Sequence, residues 1–475
     1  MPKTIFGTTE KSNFILNMKD ETIEKLPLIG AKMVAIVFLI GQAIPVLIDV
    51  IAKLIGFGMG RGYGFLNTPY ICLAITWVVS IIMLVILGSR QRFSKKHHAM
   101  LIVLISLICV WSIISAIQSF SFLDAFNGFY GRTTGVLTIL SCATIFLLMS
   151  FNSSENHLKS IVKILVISSA VQCVIGIVQI LSCFVSTELS AYENLNSISL
   201  YSVCLPSGFS ESPIFFAEYL GLMLGITLTI SCFEKSKFYT IMSMVYVYLM
   251  LDTHTVVGVV GVISIVLISL IFMIVKKGRN VLPIILCVVV GSITVAVSFI
   301  LDGSYIFYDG SIMWQDSFYR VGSTGYYWQD TAEFDITNVK DVFSYLWSKA
   351  MYYIELYPLV GTGPDCLIYT QLGNLDSTTY INNGFDLVYN NYLQVAVTMG
   401  IPALIFYIAT LVYAIVKISH RLNDSIIFKG IFVSIIAFCI MSFFSVNAIS
   451  IMPYICLFLG LACSKKFTLA ETIAE

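Results

Sequence analysis

A few residue types in this chain could carry chemistry, and their spacing limits what that chemistry is. Asp252 and His254 stand two apart in a tight turn between apolar runs. A histidine beside a carboxylate can serve as a general base near neutral pH, or it can be a solvated turn residue. Glu218 lies in the first turns of an apolar run; an ionisable group in hydrocarbon is expensive and marks a functional candidate, unless it snorkels outward or bonds a neighbouring helix. Arg132 stands at the mouth of another run, as a headgroup anchor or as a cation meeting a phosphate. Asn390 and Gln394 are one helical turn apart and can face one cleft. Tyr389 beside them is a poor base, since a phenol titrates near 10, but its ring can stack on a sugar or sit at a membrane interface. Asp386, Arg320 and Trp347 complete the candidates: a carboxylate, a cation and a stacking surface. Gln172 and Gln179, seven apart, fit interhelical hydrogen bonding. No cysteine or histidine group has metal-ligand spacing, so neither a metal nor a cofactor is expected.

These residues must be positioned by membrane helices. Of 475 residues, 58% are hydrophobic and 11% charged, with 27 bases against 27 acids. Soluble domains carry roughly 25% charged residues. The composition excludes a soluble enzyme, a disordered chain and a nucleic-acid binder working through a basic surface. Residues 1–26 are polar and mixed in charge, which does not suit a cleavable signal. The 12 cysteines fall mostly inside apolar stretches, as small core residues; only Cys183, Cys204 and Cys366 fit an outward position, for at most one disulfide.

Windows of about 20 apolar residues predict twelve spanning helices. They lie near 33–55, 69–88, 99–119, 134–150, 160–184, 214–232, 238–252, 255–275, 281–301, 401–418, 430–446 and 448–464. The basic residues Arg90, Arg92, Lys95, Lys96, Lys159, Lys163, Lys235, Lys237, Lys276, Lys277, Arg279, Lys417, Arg421, Lys465 and Lys466 fall in alternate connections. The positive-inside rule then expects both termini in the cytoplasm. The expected plan is a cytoplasmic segment 1–32, helices over 33–301, an external loop domain 302–400, helices over 401–464 and a cytoplasmic tail 465–475. The long loop is rich in tyrosine and tryptophan, which argues against disorder. Apolar residues at three- and four-residue steps predict a helix over 341–357, ended by Pro358, and a second from Asp386 to about Thr398.

Three stretches in this layout resemble the O-antigen ligase and polymerase family. Phe129-Tyr130-Gly131-Arg132-Thr133-Thr134-Gly135-Val136-Leu137 is similar to its Tyr-x-Arg-x-x-Gly-Leu segment. Trp347 followed by Pro358-Leu359-Val360-Gly361-Thr362-Gly363-Pro364-Asp365 resembles its Trp…Pro-Leu-x-Gly-x-Gly-Pro-Asp; the glycines fit a tight turn, and Asp365 fits the cap of a following helix. Tyr389-Asn390-Asn391-Tyr392-Leu393-Gln394 with Gly400-Ile401-Pro402 resembles its His-Asn-x-Tyr-Leu-Gln…Gly-Ile block. The twelve-helix plan with a large loop after helix nine is similar too.

The resemblance implies a bacterial plasma-membrane protein that moves a glycan from an undecaprenyl-diphosphate carrier to an acceptor glycan or lipid at the outer face. It would serve cell-surface polysaccharide assembly, with the bilayer and the lipid-linked glycan as partners and no nucleic acid. Arg132 would meet the carrier phosphates, with Arg320, Trp347, Asn390, Gln394 and Glu218 around the substrate. The base is open among Tyr389, His254 and Asp386.

The chain departs from that pattern where the chemistry sits. Phe343 stands where the family has an arginine four residues before the tryptophan, and Tyr389 where it has histidine. Thr253-His254-Thr255-Val256 replaces a Ser-Arg pair, and Leu205-Pro206-Ser207-Gly208-Phe209 lacks an arginine. The 302–400 loop carries eleven acids against three bases, which repels a diphosphate. Two other readings follow: a family member without transfer activity that binds the carrier or an assembly partner, and a twelve-helix secondary transporter. The latter would show repeat halves, and no internal repeat is visible.

Overall fold

The computed structural model describes residues 18–54, 68–90, 95–129, 132–184, 198–200, 203–210, 212–276, 278, 280–302, 304–309, 311–313, 338–372 and 387–465. The chain is an all-α polytopic membrane protein. Two short helices, α1 (Asp20–Glu24) and α2 (Leu26–Lys32), run through a π-helical stretch, Met33–Phe38, into α3 (Leu39–Leu54). Then come α4 (Thr68–Ser89), α5 (Lys95–Ile117), α6 (Phe122–Asn127), α7 (Val136–Met149) and α8 (Glu155–Phe184). A hairpin of two three-residue strands, β1 (Ile198–Leu200) and β2 (Val203–Leu205), precedes α9 (Pro213–Phe233), α10 (Lys237–Asp252), α11 (Val256–Val275) and α12 (Leu282–Asp302). The long loop contributes α13 (Val339–Leu356) and α14 (Leu367–Leu372), and the chain closes with α15 (Asn391–Ser419), α16 (Ile426–Met441) and α17 (Met452–Ala462).

Eight of these helices are long and apolar enough to cross a membrane. Their outward faces carry half-exposed residues such as Ile71, Val78, Val103, Val110, Ile263, Ile271, Ile405 and Val412. So much exposed apolar surface is stable only against lipid. Each of the twelve expected spans overlaps a helix, but several differ in extent: α7 has 14 residues, and α15 begins at Asn391, so that the helix expected from Asp386 to about Thr398 and the span expected at 401–418 are one kinked helix. The first begins at Leu26, and Ile23, Leu26 and Ala31 are already in the core, so residues 1–32 are not wholly a free segment. The last two are shorter than expected: α16 has 16 residues and α17 has 11, or about 24 and 17 Å at 1.5 Å per residue. Between them Ser442–Ile451 leaves the helix although it is mostly buried. The apolar run hides Ser442, Ser445, Asn447 and Ser450; Ser445 donates to Glu218, and the Ser442 carbonyl and the Asn447 amide bond Asn391 instead of a helical partner.

The basic connections gather at one end of the bundle. Arg421 donates to the Ser464 carbonyl at 2.6 Å, Lys276 to Asn423 at 3.3 Å, and Ser425 to Glu155 at 3.2 Å. The other end carries α13, α14 and the Ser442–Ile451 break.

Helix α9 is the axis: every one of its 21 residues is buried. It packs against α10, α11 and α16. Gly221 and Gly225 form a Gly-x-x-x-Gly stripe towards α16, the small-residue spacing that lets membrane helices approach closely. A Cβ at Gly225 would lie 2.8 Å from the Ser434 amide nitrogen, and Ser434 Oγ donates to the Leu222 carbonyl at 2.7 Å. Its hydroxyls are satisfied within the bundle: Thr229 donates to the Gly225 carbonyl at 2.7 Å and Ser231 to the Thr227 carbonyl at 2.8 Å.

Gly225→Val should therefore separate α9 from α16 at a cost of about 1–3 kcal/mol or more. The expected outcome is a lowered melting temperature in detergent and a smaller monodisperse fraction.

Candidate functional site

The loop end is assembled around a kink. Gly400 in α15 has φ +84°, a left-handed conformation in which a Cβ would run into the Leu359 carbonyl. The kink frees backbone groups at membrane depth, and each finds a partner. The amides of Thr362 and Gly363 donate to the carbonyls of Val397 and Thr398 at 2.9 and 2.8 Å, and Ile401 donates to the Pro358 carbonyl at 2.8 Å. From α5, Trp111 Nε1 donates to the carbonyls of Met399 and Leu359 at 3.0 and 3.2 Å, and Ser115 Oγ to those of Val360 and Thr398 at 2.6 and 3.1 Å. Leu359 and Val360 thus reach the level of Trp111 and Ser115 in α5, and Gly363 lies against Ser119, just past the end of that helix.

This turn delivers Asp365 to Arg132. Both are buried. The guanidinium Nε makes an ion pair with Asp365 Oδ1, and Nη2 donates to the Asp365 carbonyl at 2.9 Å. Asp365 Oδ2 accepts the amides of Phe129 and Thr134 at 2.7 and 3.0 Å. Burial raises the Asp365 carboxyl above its ordinary value, and Arg132 and the two amides hold that rise in check. Arg132 is therefore not a rim cation open to phosphate. Sequence reasoning treated Asp365 as a helix cap and missed the pairing, because no spacing links two motifs 233 residues apart.

Other candidates are likewise committed to structure. Asn390 caps α15, accepting the amides of Tyr392 and Leu393 at 3.1 Å each, and Gln394 Oε1 accepts the Val388 amide at 2.9 Å. Neither side chain offers these groups to a cleft. Tyr389 is wholly buried with φ +50°, so its ring has no face for a sugar and does not sit at an interface. Trp347 packs on Phe343 at 5.7 Å and Phe444 at 6.3 Å between ring centres, and Phe343 meets Phe444 at 5.7 Å. An aromatic cluster thus occupies the position where the family pattern has arginine. Asp386 and Arg320 lie outside the described residues.

His254 is buried, not solvated, and its turn anchors the start of the long loop. Its ring stacks on Tyr305 at 4.6 Å and meets Tyr308 edge-on; Nδ1 is 2.9 Å from the Ile306 carbonyl. Asp309, wholly buried, accepts the Val256 amide at 3.0 and 3.2 Å, at the N-terminus of α11. Burial pushes the Asp309 carboxyl up to about 7, against the pull of that amide. Asp309 and Asp365 are two of the loop's eleven acids; being buried, neither contributes to an acidic surface.

Glu218 keeps an unassigned carboxylate oxygen. It is 1% exposed; Oε2 accepts Ser445 Oγ–H at 2.5 Å, and Oε1 has no hydrogen-bond partner. Ser445 belongs to the break between α16 and α17, which Asn391 stitches to α15. The Asn391 amide donates to the Ser442 carbonyl at 2.8 Å, its Nδ2 donates to Tyr407 Oη at 2.6 Å, and its Oδ1 accepts the Asn447 amide at 3.4 Å. Tyr407 and Asn447 form the polar end of a partly open cavity of about 120 Å³ between α5, α7, α15 and α17. Its walls are otherwise almost entirely apolar, with Ile108, Met399, Ala403 and Ile455 among them. The cavity takes Val395 and Met399 of the Asn390–Gly400 block into its wall and does not include Arg132. No group of three metal-ligating side chains occurs among the described residues. No model of a known protein family matches the chain, and no curated protein matches it.

Breaking the buried pair leaves an uncompensated charge, so Arg132→Ala or Asp365→Ala should each cost about 3–5 kcal/mol. Arg132→Met with Asp365→Leu should recover most of that, measured as melting temperature in detergent. A second expectation follows from Asp309. Its folded-state value lies above the unfolded 3.8, so its stabilising contribution is full below about pH 3.8 and is lost as pH rises through about 7. The melting temperature should fall between pH 5 and pH 8 more steeply in the unmodified chain than in Asp309→Asn.

Proposed function

We propose that the chain is an O-antigen ligase and polymerase-like membrane protein that binds an undecaprenyl-type carrier during cell-surface polysaccharide assembly. One observation carries the reading: an apolar cavity is lined by Val395 and Met399 of the motif block Asn390–Gly400 and by α7, the helix that the Arg132 stretch leads into, together with α5 and α17. Its wall chemistry suits an isoprenoid segment, and Tyr407 and Asn447 face its polar end. In this reading both termini are cytoplasmic, and residues 302–400 lie at the outer face of a bacterial plasma membrane.

Carrier binding without transfer fits the site better than transfer does. Arg132 is paired with Asp365, the Phe343 position is part of an aromatic cluster, and Tyr389 is buried. A diphosphate leaving group needs cations and an acceptor hydroxyl needs a base, and these positions supply neither.

The test is labelling of the full-length chain in nanodiscs by a photoactivatable polyprenyl phosphate. Ala403→Phe or Met399→Trp, which fill the cavity, should each reduce labelling by about tenfold, the equivalent of one or two lost buried methylenes. Equal labelling of filled and unmodified chains would sink the carrier reading. Consumption of a lipid-linked glycan donor by membranes containing the chain would instead establish transfer.

A further inference from the structure

Glu218 is a fully enclosed carboxyl of a spanning helix whose state the fold leaves open; Asp252, the last residue of α10, is only part-buried. Asp365 has a guanidinium and two amides, and Asp309, in the long loop, caps the N-terminus of α11. Glu218 has a single hydroxyl donor and no ion pair among the described residues. An isolated carboxylate removed from water costs several kcal/mol or more unless a partner compensates it.

Among the described residues the surroundings supply no cation. The titratable groups within its electrostatic reach are Tyr392 and Tyr407 of α15. Tyr392 donates to the Cys439 carbonyl of α16 at 2.7 Å, which brings that thiol's residue to the same seam. Tyr219, next along α9, faces Tyr246 of α10, Tyr454 of α17 and Cys173 of α8. Helix α11 has no titratable residue, nor has the Ser442–Ile451 break; α12 has Cys287, towards Cys232 at the far end of α9, and Asp302 as its last residue, and α10 carries Lys237 and Tyr239 at its start and Tyr248 and Asp252 towards its end. Phe343, Trp347 and Phe444 form the aromatic cluster where α13 meets that break.

We propose that Glu218 is a proton-binding site within the membrane, and that proton binding there is linked to occupancy of the adjacent apolar cavity. Proton uptake forms one O–H bond at Oε1, turns the carboxylate into a neutral carboxyl and breaks no other bond; the proton comes from bulk water and returns to it. The protonated Oε1 becomes a donor, where the bare atom is an acceptor with nothing to accept. The Ser445 bond to Oε2 survives in both states.

The link runs through short contacts. Ser445, bonded to Glu218, lies two residues before Asn447, a cavity wall residue. Asn391 accepts the Asn447 amide and donates to Tyr407, the other polar wall residue. A tail seated against Tyr407 and Asn447 displaces this network, and whatever moves the 445–447 backbone changes the donor on Glu218. By reciprocity, the protonation state then changes lipid affinity by the same factor. The linkage, unlike the proton site itself, rests on the carrier-binding reading.

The experiment is infrared difference spectroscopy of the full chain in nanodiscs, titrated from pH 5 to pH 9, with Glu218→Gln and Ser445→Ala as comparators. The expected result is a protonated-carboxyl stretch that bleaches reversibly with rising pH and is lost in Glu218→Gln. In Ser445→Ala the band should persist at a shifted frequency. Glu218→Gln keeps the size and the acceptor for Ser445, so its fold is checked by an unchanged melting profile. If Glu218→Gln does not fold, the Ser445→Ala frequency shift alone decides the assignment. A pH-independent band, or an identical one in the glutamine variant, overturns the proposal. So does a band that responds to replacing potassium by sodium at fixed pH, since the ligand would then be a metal ion. Adding polyprenyl phosphate should move the titration midpoint, with roughly a tenfold difference in lipid affinity for each pH unit moved. A clean titration that lipid does not move overturns the linkage and leaves the proton site. Absence of labelling in the separate cavity assay overturns carrier binding alone.

Discussion

In hydrocarbon, a backbone amide or carbonyl that leaves its helix must be satisfied by protein, and this constraint organises the loop end of the molecule. The backbone breaks helical bonding at Gly400 and between Ser442 and Ile451. At the first break the freed carbonyls are taken by the Gly361–Gly363 turn and by Trp111 and Ser115. At the second, Asn391 bonds both sides of the gap through its amide and its side chain. Because α15 carries both Gly400 and Asn391, one helix ties the two breaks together. The cavity adjoins that tie, bounded in part by Met399 beside the kink and Asn447 within the gap.

The buried charges separate into those that hold the fold and the one that does not. Arg132 and Asp365 neutralise each other where the stretch before α7 meets the turn before α14. Asp309 meets the Val256 amide and the positive end of the α11 dipole, so a residue of the long loop secures the α10–α11 turn. Removal of either would loosen the attachment of the loop to the bundle. Glu218 has no such duty. It sits within the fully buried axis helix, and its one donor comes from the irregular segment, not from a helix.

Much of this was legible in the sequence. Runs of about 20 apolar residues located the twelve helices, since a spanning helix needs little beyond length and composition. The stepwise apolar residues around Leu346, Ala350 and Ile354 located α13, whose buried face they form. The ends of α16 and α17 were not legible, because Val446, Ala448 and Ile449 keep the apolar run going while the intervening polar groups take the backbone out of the helix. The Arg132–Asp365 contact was hidden for a different reason: it depends on how deep the Gly361–Gly363 turn sits beside α5. That depth is set by Trp111 and Ser115, which read as ordinary residues of a spanning helix.

The departures from the O-antigen ligase and polymerase pattern are coupled, not scattered. An arginine at position 343 would require water or an anion on the side where Phe343 now meets Phe444 and Trp347. With phenylalanine there, α13 packs directly on the α16–α17 break, and polar groups of that break face inward to Glu218 and Asn391. A histidine at position 389 would place a ring that seeks two hydrogen-bond partners where Tyr389 is fully enclosed. Phe343 and Tyr389, the two positions that depart from that pattern, are thus both enclosed by packing. Beside the same break, Glu218 lies within the fully buried α9 with one hydroxyl donor, and Asn391 and Asn447 connect that break to the apolar cavity. A carboxyl so isolated from water makes its charge the most sensitive feature of the interior.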